Sequence, residues 1–188
     1  MRRSLGFFLL SLFVSVATFA AADTTLDFRN TSWGMNKEQV KAAEKGAIEE
    51  EIEDCLVYKG KIGNYNCYIH YFFTVNKLYR AMYQIIGNNY LDDYNKFKHL
   101  IAEKYGATVE DGVVWKKDSP YQDDPESWEF AVRMGYLVYS AKWETKTTNI
   151  FLLLQGEDLA ARLSIVYESR QAKSSLSQAE EERIKSDL

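Results

Sequence analysis

Proline, histidine and cysteine occur only twice each in 188 residues. So little proline, beside 46% apolar residues, excludes a collagen-like or disordered chain. Two histidines, His70 and His99, without Cys or carboxylate at matching spacing, make no zinc motif. There is no Cys-x-x-Cys, Gly-x-Ser-x-Gly, phosphate loop, His-Glu-x-x-His or dinucleotide fingerprint. Positive charge is also short: 23 Lys and Arg against 27 Asp and Glu leave a net charge of −4. That argues against nonspecific nucleic-acid binding, which needs a basic surface. After residue 22 no run approaches the roughly 18 apolar residues of a membrane span.

One apolar run is present, at the start. Arg2 and Arg3 precede a stretch from Leu5 to Phe19, and Ala20-Ala21-Ala22 supplies small residues before Asp23. These are the three parts of a secretory signal peptide. Residues 1–22 are therefore expected to be removed. No Cys lies near the cleavage point, so no lipid anchor is expected. The short basic start fits a bacterium, which makes the periplasm or the exterior the expected location. Residues 23–168 read as one domain and residues 169–188 as a polar tail.

Asn36 and Gln39 are spaced as a capping box, and Gly46 follows as a stop. Strands are expected at 55–59, 65–73 and 78–86, where Tyr, Phe and Ile dominate. The gaps at 60–63 and 75–77 have hairpin length. Tyr94, Phe97, Ile101 and Tyr105 recur at helical spacing, which predicts a helix over 90–105 ended by Gly106. A short strand at 113–115 follows. Asp124-Pro125 opens another helix, expected to end before Gly135. Strands at 137–143, 150–154 and 163–167 close the domain. The wholly apolar 150–154 suggests a central strand buried on both faces. The expected fold is α+β: antiparallel meanders with helices packed on one face, with an α-βββ unit that occurs twice if Gly46 matches Gly135.

Cys55 and Cys67 are even in number in an exported chain, which suggests a disulfide. A hairpin turning near residue 61 places them directly opposite, within reach of a bridge. Two free thiols are the alternative. Asp118, Asp123, Asp124 and Glu126 lack the central Gly of a calcium loop. Glu49, Glu50 and Glu51 read as a solvated charge run. No catalytic residue, metal site or cofactor is indicated.

Tyrosine is the compositional excess, at 13 residues. Six of them, from Tyr58 to Tyr83, crowd the first meander. Alternation sends neighbours to opposite faces. One face is core; the other is either covered or an aromatic binding surface, with Tyr58, Tyr68 and Phe72 as its candidates.

The stretch from Phe28 to Val40, with Trp33-Gly34-Met35 before a capped helix, resembles the opening of small exported bacterial proteins of unknown function. Residues 78–86 and 94–106 look like their next strand and helix. The resemblance implies no activity. More distantly, a capped helix followed by a meander resembles the outer-membrane assembly lipoproteins and the beta-lactamase inhibitory proteins. Both are non-enzymatic interaction modules, but this chain lacks a lipid-attachment Cys, and no residue role transfers. The expected function is a soluble exported module that binds an envelope protein or a small ligand, with no nucleic acid and no stable membrane insertion. The competing classes are an envelope-acting hydrolase with an unrecognised polar site and a purely structural envelope protein.

Overall fold

A computed structural model of the chain describes residues 26–172 and Lys185. The expected signal segment and most of the expected tail lie outside these residues. Ser169 ends the last strand, and residues 170–172 are helical.

Asn36 caps α1 (Lys37–Ala43) through its side chain on the Gln39 amide, and Gln39 returns the bond, so the capping box forms. Then β1 (Ile48–Ile52), β2 (Cys55–Ile62), β3 (Tyr65–Thr74) and β4 (Lys77–Ile85) run as a meander. Helix α2 (Tyr90–Tyr105) follows, ended by Gly106 at φ +88. Strand β5 (Glu110–Trp115) leads to a 3-10 turn, Pro125–Ser127, and α3 (Trp128–Arg133). Strands β6 (Leu137–Glu144), β7 (Thr148–Glu157) and β8 (Ala160–Ser169) complete the order. All eight strands join one antiparallel sheet in the order β1-β2-β3-β4-β8-β7-β6-β5.

This corrects the expected α+β layering. The molecule is mainly a single eight-stranded antiparallel sheet, and its few, short helices do not make a packed face. The expected α-βββ unit fails as well. The first half carries one helix before four strands, while the second places α2 before β5 and α3 between β5 and β6. The miss has a physical source in β1. Its sequence, Ile-Glu-Glu-Glu-Ile, is wholly exposed and reads as a charge run. At the edge of a sheet, charged side chains deter pairing with another chain, so an acidic edge strand is a stable solution.

The first hairpin also differs from expectation. Cys55 faces Phe72 and Gly60 faces Cys67, because the chain turns at Gly63-Asn64 rather than near residue 61. Gly60 resembles a turn glycine but lies inside β2. A Cβ there would sit 2.4 Å from Ile69 Cδ1, so the glycine makes room for Ile69 to cross over it. In the second hairpin, Val75 and Asn76 both take positive φ, giving a two-residue turn with Thr74 opposite Lys77. A bulge at Phe72/Phe73 then shifts the pairing by one. Beyond it, Tyr71 faces Ala81 and Ile69 faces Tyr83, the register that a three-residue loop would have set.

The core lies against one face of the sheet. Leu56, Tyr58, Ile69, Tyr71, Ala81, Tyr83, Trp143, Ile150, Leu152, Leu154 and Ile165 alternate along their strands and are buried there. Pieces of chain cover them. Phe28 packs on Tyr71, Tyr83 and Tyr167. Tyr94 of α2 lies against Tyr139, and Phe97 against Tyr65. The α3 backbone rests on Gly156, where a Cβ would come within 1.8 Å of the Val132 carbonyl oxygen. Among the described residues no helix is long and apolar enough to cross a membrane.

Candidate functional site: the open face of the sheet

The second face of the sheet carries the alternate residues of the same strands. Cross-strand pairing sets them in rows. The middle row reads Val57, His70, Met82, Val166 and Phe151, crossing β2, β3, β4, β8 and β7, with Lys142 and Glu110 closing it. One flanking row runs Cys55, Phe72, Arg80, Glu168, Asn149 and Glu144. The other runs Lys59, Tyr68, Gln84, Ser164, Leu153 and Ser140. His70, Met82, Val166 and Phe151 are half-buried, as are Tyr68, Phe72 and Leu153. An apolar band thus crosses five strands, buried at Val57 and half-buried from His70 to Phe151, and the rows beside it are mainly polar.

Along β3 the band thickens into an aromatic ladder. His70 stacks on Phe72 with ring centroids 5.9 Å apart and planes 5° apart, and Tyr68 meets His70 edge-on at 6.5 Å. Burial pushes the His70 imidazole below its ordinary pKa, against the opposing pull of Gln84 and Glu50. Its Nε2 is buried and has no hydrogen-bond partner among the described residues. The charged residues beside the band are paired: Arg80 with Glu168, Lys59 with Glu49, and Lys142 with both Glu110 and Glu144. A depression of about 200 Å³ between Met82, Gln84, Leu153, Arg162, Ser164 and Val166 lies beside the band.

Of the expected aromatic surface, Tyr68 and Phe72 lie on this face. Tyr58 does not. It is buried on the other face, edge-on to Tyr71, because the shifted hairpin register places it opposite Ile69. The same register corrects the expected disulfide. Cys55 and Cys67 are free and buried. Their partners, Phe72 and Gly60, place them on opposite faces of the sheet. They are also separated by about five residues along the strands, on the order of 16 Å. Burial raises both thiol pKa values.

The expected strand buried on both faces, β7, is buried on one. Ile150, Leu152 and Leu154 are core, while Phe151 and Leu153 look out onto the open face. His99 is exposed on α2 beside Glu103, at 3.4 Å. In the acidic loop, Asp124 caps the 3-10 turn through the Glu126 amide and Ser127 hydroxyl.

Sequence reasoning missed one polar cluster. Glu44 is buried and accepts bonds from the Tyr71 hydroxyl and from Arg29 Nε, the latter at 2.8 Å. Burial and that bond to Glu44 push the Tyr71 phenol far above its ordinary range. The carboxylate is held by both partners beneath the N-terminal segment, so the cluster ties α1 and residue 29 to the sheet. A glutamate just past a capped helix carries no local signal of this. No family model, no curated protein and no solved structure matches this chain, so what it does is read from its geometry.

Proposed function

We propose that the chain is an exported binding module that holds an envelope protein against the open face of its sheet. The observation that carries this is the half-buried apolar band from His70 to Phe151, which no helix or second sheet covers among the described residues. Sheets normally bury such a face against another layer. A contiguous apolar patch rimmed by polar residues marks an interaction surface. Aromatic side chains and Met, which the band carries, are enriched at such surfaces. Four adjacent strands span on the order of 15 Å. An amphipathic helix of about 10 residues has that length and could lay one apolar face across the strands. Export is supported by the three-part segment at residues 1–22.

The test is site-specific photo-crosslinking in cells that express the full chain. A crosslinker at Tyr68 or Phe151 should give one adduct of the same partner mass. The double substitution Met82→Glu with Val166→Glu should abolish it. A crosslinker at Leu100, on α2, should not give that adduct. Equal adducts from Leu100, or capture unchanged by the two glutamates, would overturn the proposal.

A further inference from the structure

A second concave site lies on the other side of the sheet, independent of the open face. A groove of about 420 Å³ runs between α2 and the β2–β3 hairpin, with Ile165 and Tyr167 of β8 beneath it. That volume is within the range of small-molecule sites. Its walls are Ile62, Tyr65, Phe97, Leu100, Ile101 and Tyr105. Leu100 is large, apolar and 46% exposed, an unusual placement on a helix whose other apolar side chains turn inward.

The charges of the groove have one sign. Lys96 and Lys104 line it, four residues to either side of Leu100, so one turn separates each from it along α2. Among the described residues no acid lines the groove, although the chain as a whole is net negative. Asp93, outside the lining, accepts a bond from the Tyr65 hydroxyl at 2.7 Å. Among the described residues neither lysine forms an ion pair. Each ammonium sits over a tyrosine ring instead, Lys96 at 5.1 Å from the Tyr65 centroid and Lys104 at 4.9 Å from that of Tyr105. A cation resting on a ring keeps its charge available to an anion.

An apolar trough with a cationic rim fits a molecule that is apolar along its length and anionic at one end. Lys96 and Lys104 stand two turns, about 12 Å, apart on α2, and Asp93 lies at the Lys96 end, on the Tyr65 hydroxyl. We propose that this groove binds a free long-chain fatty acid, its carboxylate at Lys104 and its chain against Leu100, Phe97 and Tyr65. The Lys104 ammonium recognises the carboxylate by charge, and the aromatic walls shelter the chain from water.

The experiment is a titration of protein purified from the full-length gene with a fluorescent long-chain fatty acid, below its micelle concentration. Saturable binding, displaced by unlabelled fatty acid, is expected. Lys104→Glu should weaken it several-fold, the size expected when one exposed charge contact is lost. Leu100→Glu should weaken it at least as much. Leu159→Glu, on the exposed turn between β7 and β8, should leave it unchanged. Far-UV circular dichroism identifies any variant that fails to fold, and Leu100→Ser then replaces Leu100→Glu. Three outcomes would overturn the proposal: a long-chain alcohol binding as tightly as the acid, the Lys104→Glu variant binding as tightly as wild type, or binding only to anionic phospholipid vesicles.

Discussion

The two faces of the sheet are built from the same strands and differ in almost everything else. On the covered face, Trp143, Tyr71, Leu152 and Leu154 are fully buried, and Trp143 donates its indole proton to the Gly106 carbonyl at 3.1 Å. On the open face, Phe72, Met82, Phe151 and Leu153 are as apolar but only half-buried. Strand β7 shows the contrast within one segment, since its apolar run contributes to both faces alike. Hydrophobicity along a strand therefore does not decide burial. What decides it is which face the helices and the N-terminal segment reach.

The largest expected effect separates the faces by stability. Trp143→Ala should cost about 3–5 kcal/mol, the range for a fully buried aromatic. Phe72→Ala should cost about 1–2 kcal/mol, in proportion to its half-burial. Chemical denaturation of both variants measures the difference. Equal losses would mean that the open face is as covered as the other.

A smaller pair of changes probes the same contrast through glycine. Gly156→Ala drives a Cβ into the Val132 backbone, which no rotamer can relieve, and should cost about 3 kcal/mol. Gly112→Ala, on the open face, meets only the Ser140 hydroxyl at 3.2 Å and should change stability by less than about 0.5 kcal/mol. Thermal melts of the two variants check both.

The cysteines report on the faces by rate. Thiol titration of denatured protein, without reductant, should find both thiols free. In the native protein both should label slowly, with Cys55 ahead of Cys67. Opening of the edge strand β1 uncovers Cys55, which Ile52 faces, whereas Cys67 lies under the core. Recovery of a disulfide would refute the register of the first hairpin.

The smallest effect is a pH dependence. His70 has a folded-state pKa below its free value of 6.5. The unfolded chain therefore takes up the proton first as pH falls. Stability from the neutral imidazole is present above about pH 6.5 and declines as pH drops below it toward the folded value. His70→Phe should flatten this part of the acid limb in denaturant melts and leave the neutral range unchanged.

Helical spacing made α2 legible to the residue, and the Asn36–Gln39 box placed α1. Alternation in β3 sets Ile69, Tyr71 and Phe73 against Tyr68, His70 and Phe72, and the two sets take opposite faces. Faces along a single strand depend only on parity, which sequence shows. Partners between strands depend on where the chain turns. Gly60 and Gly63 look alike in sequence, yet one relieves a crowded contact and the other takes the positive φ of the turn. That ambiguity moved Tyr58 from the open face to the core and set the two cysteines apart. The open face itself was half legible: Tyr68 and Phe72 were candidates, but Met82, Val166 and Phe151 join them only through the β4–β8 and β8–β7 pairings.

The β4–β8 pairing has a consequence for how the chain assembles. Each meander adds strands from an outer edge of the sheet inward, and the two final strands meet at the centre. Hairpin contacts such as Thr74 with Lys77 close very short loops, whereas the Arg80–Glu168 bond closes one of 88 residues. Long closures carry the larger entropic cost and slow folding. Since β8 also supplies the partner of β7, a ribosome must release nearly the whole domain before the central seam can form. Until then the chain holds two separate meanders, and the edges of β4 and β7 are bare together.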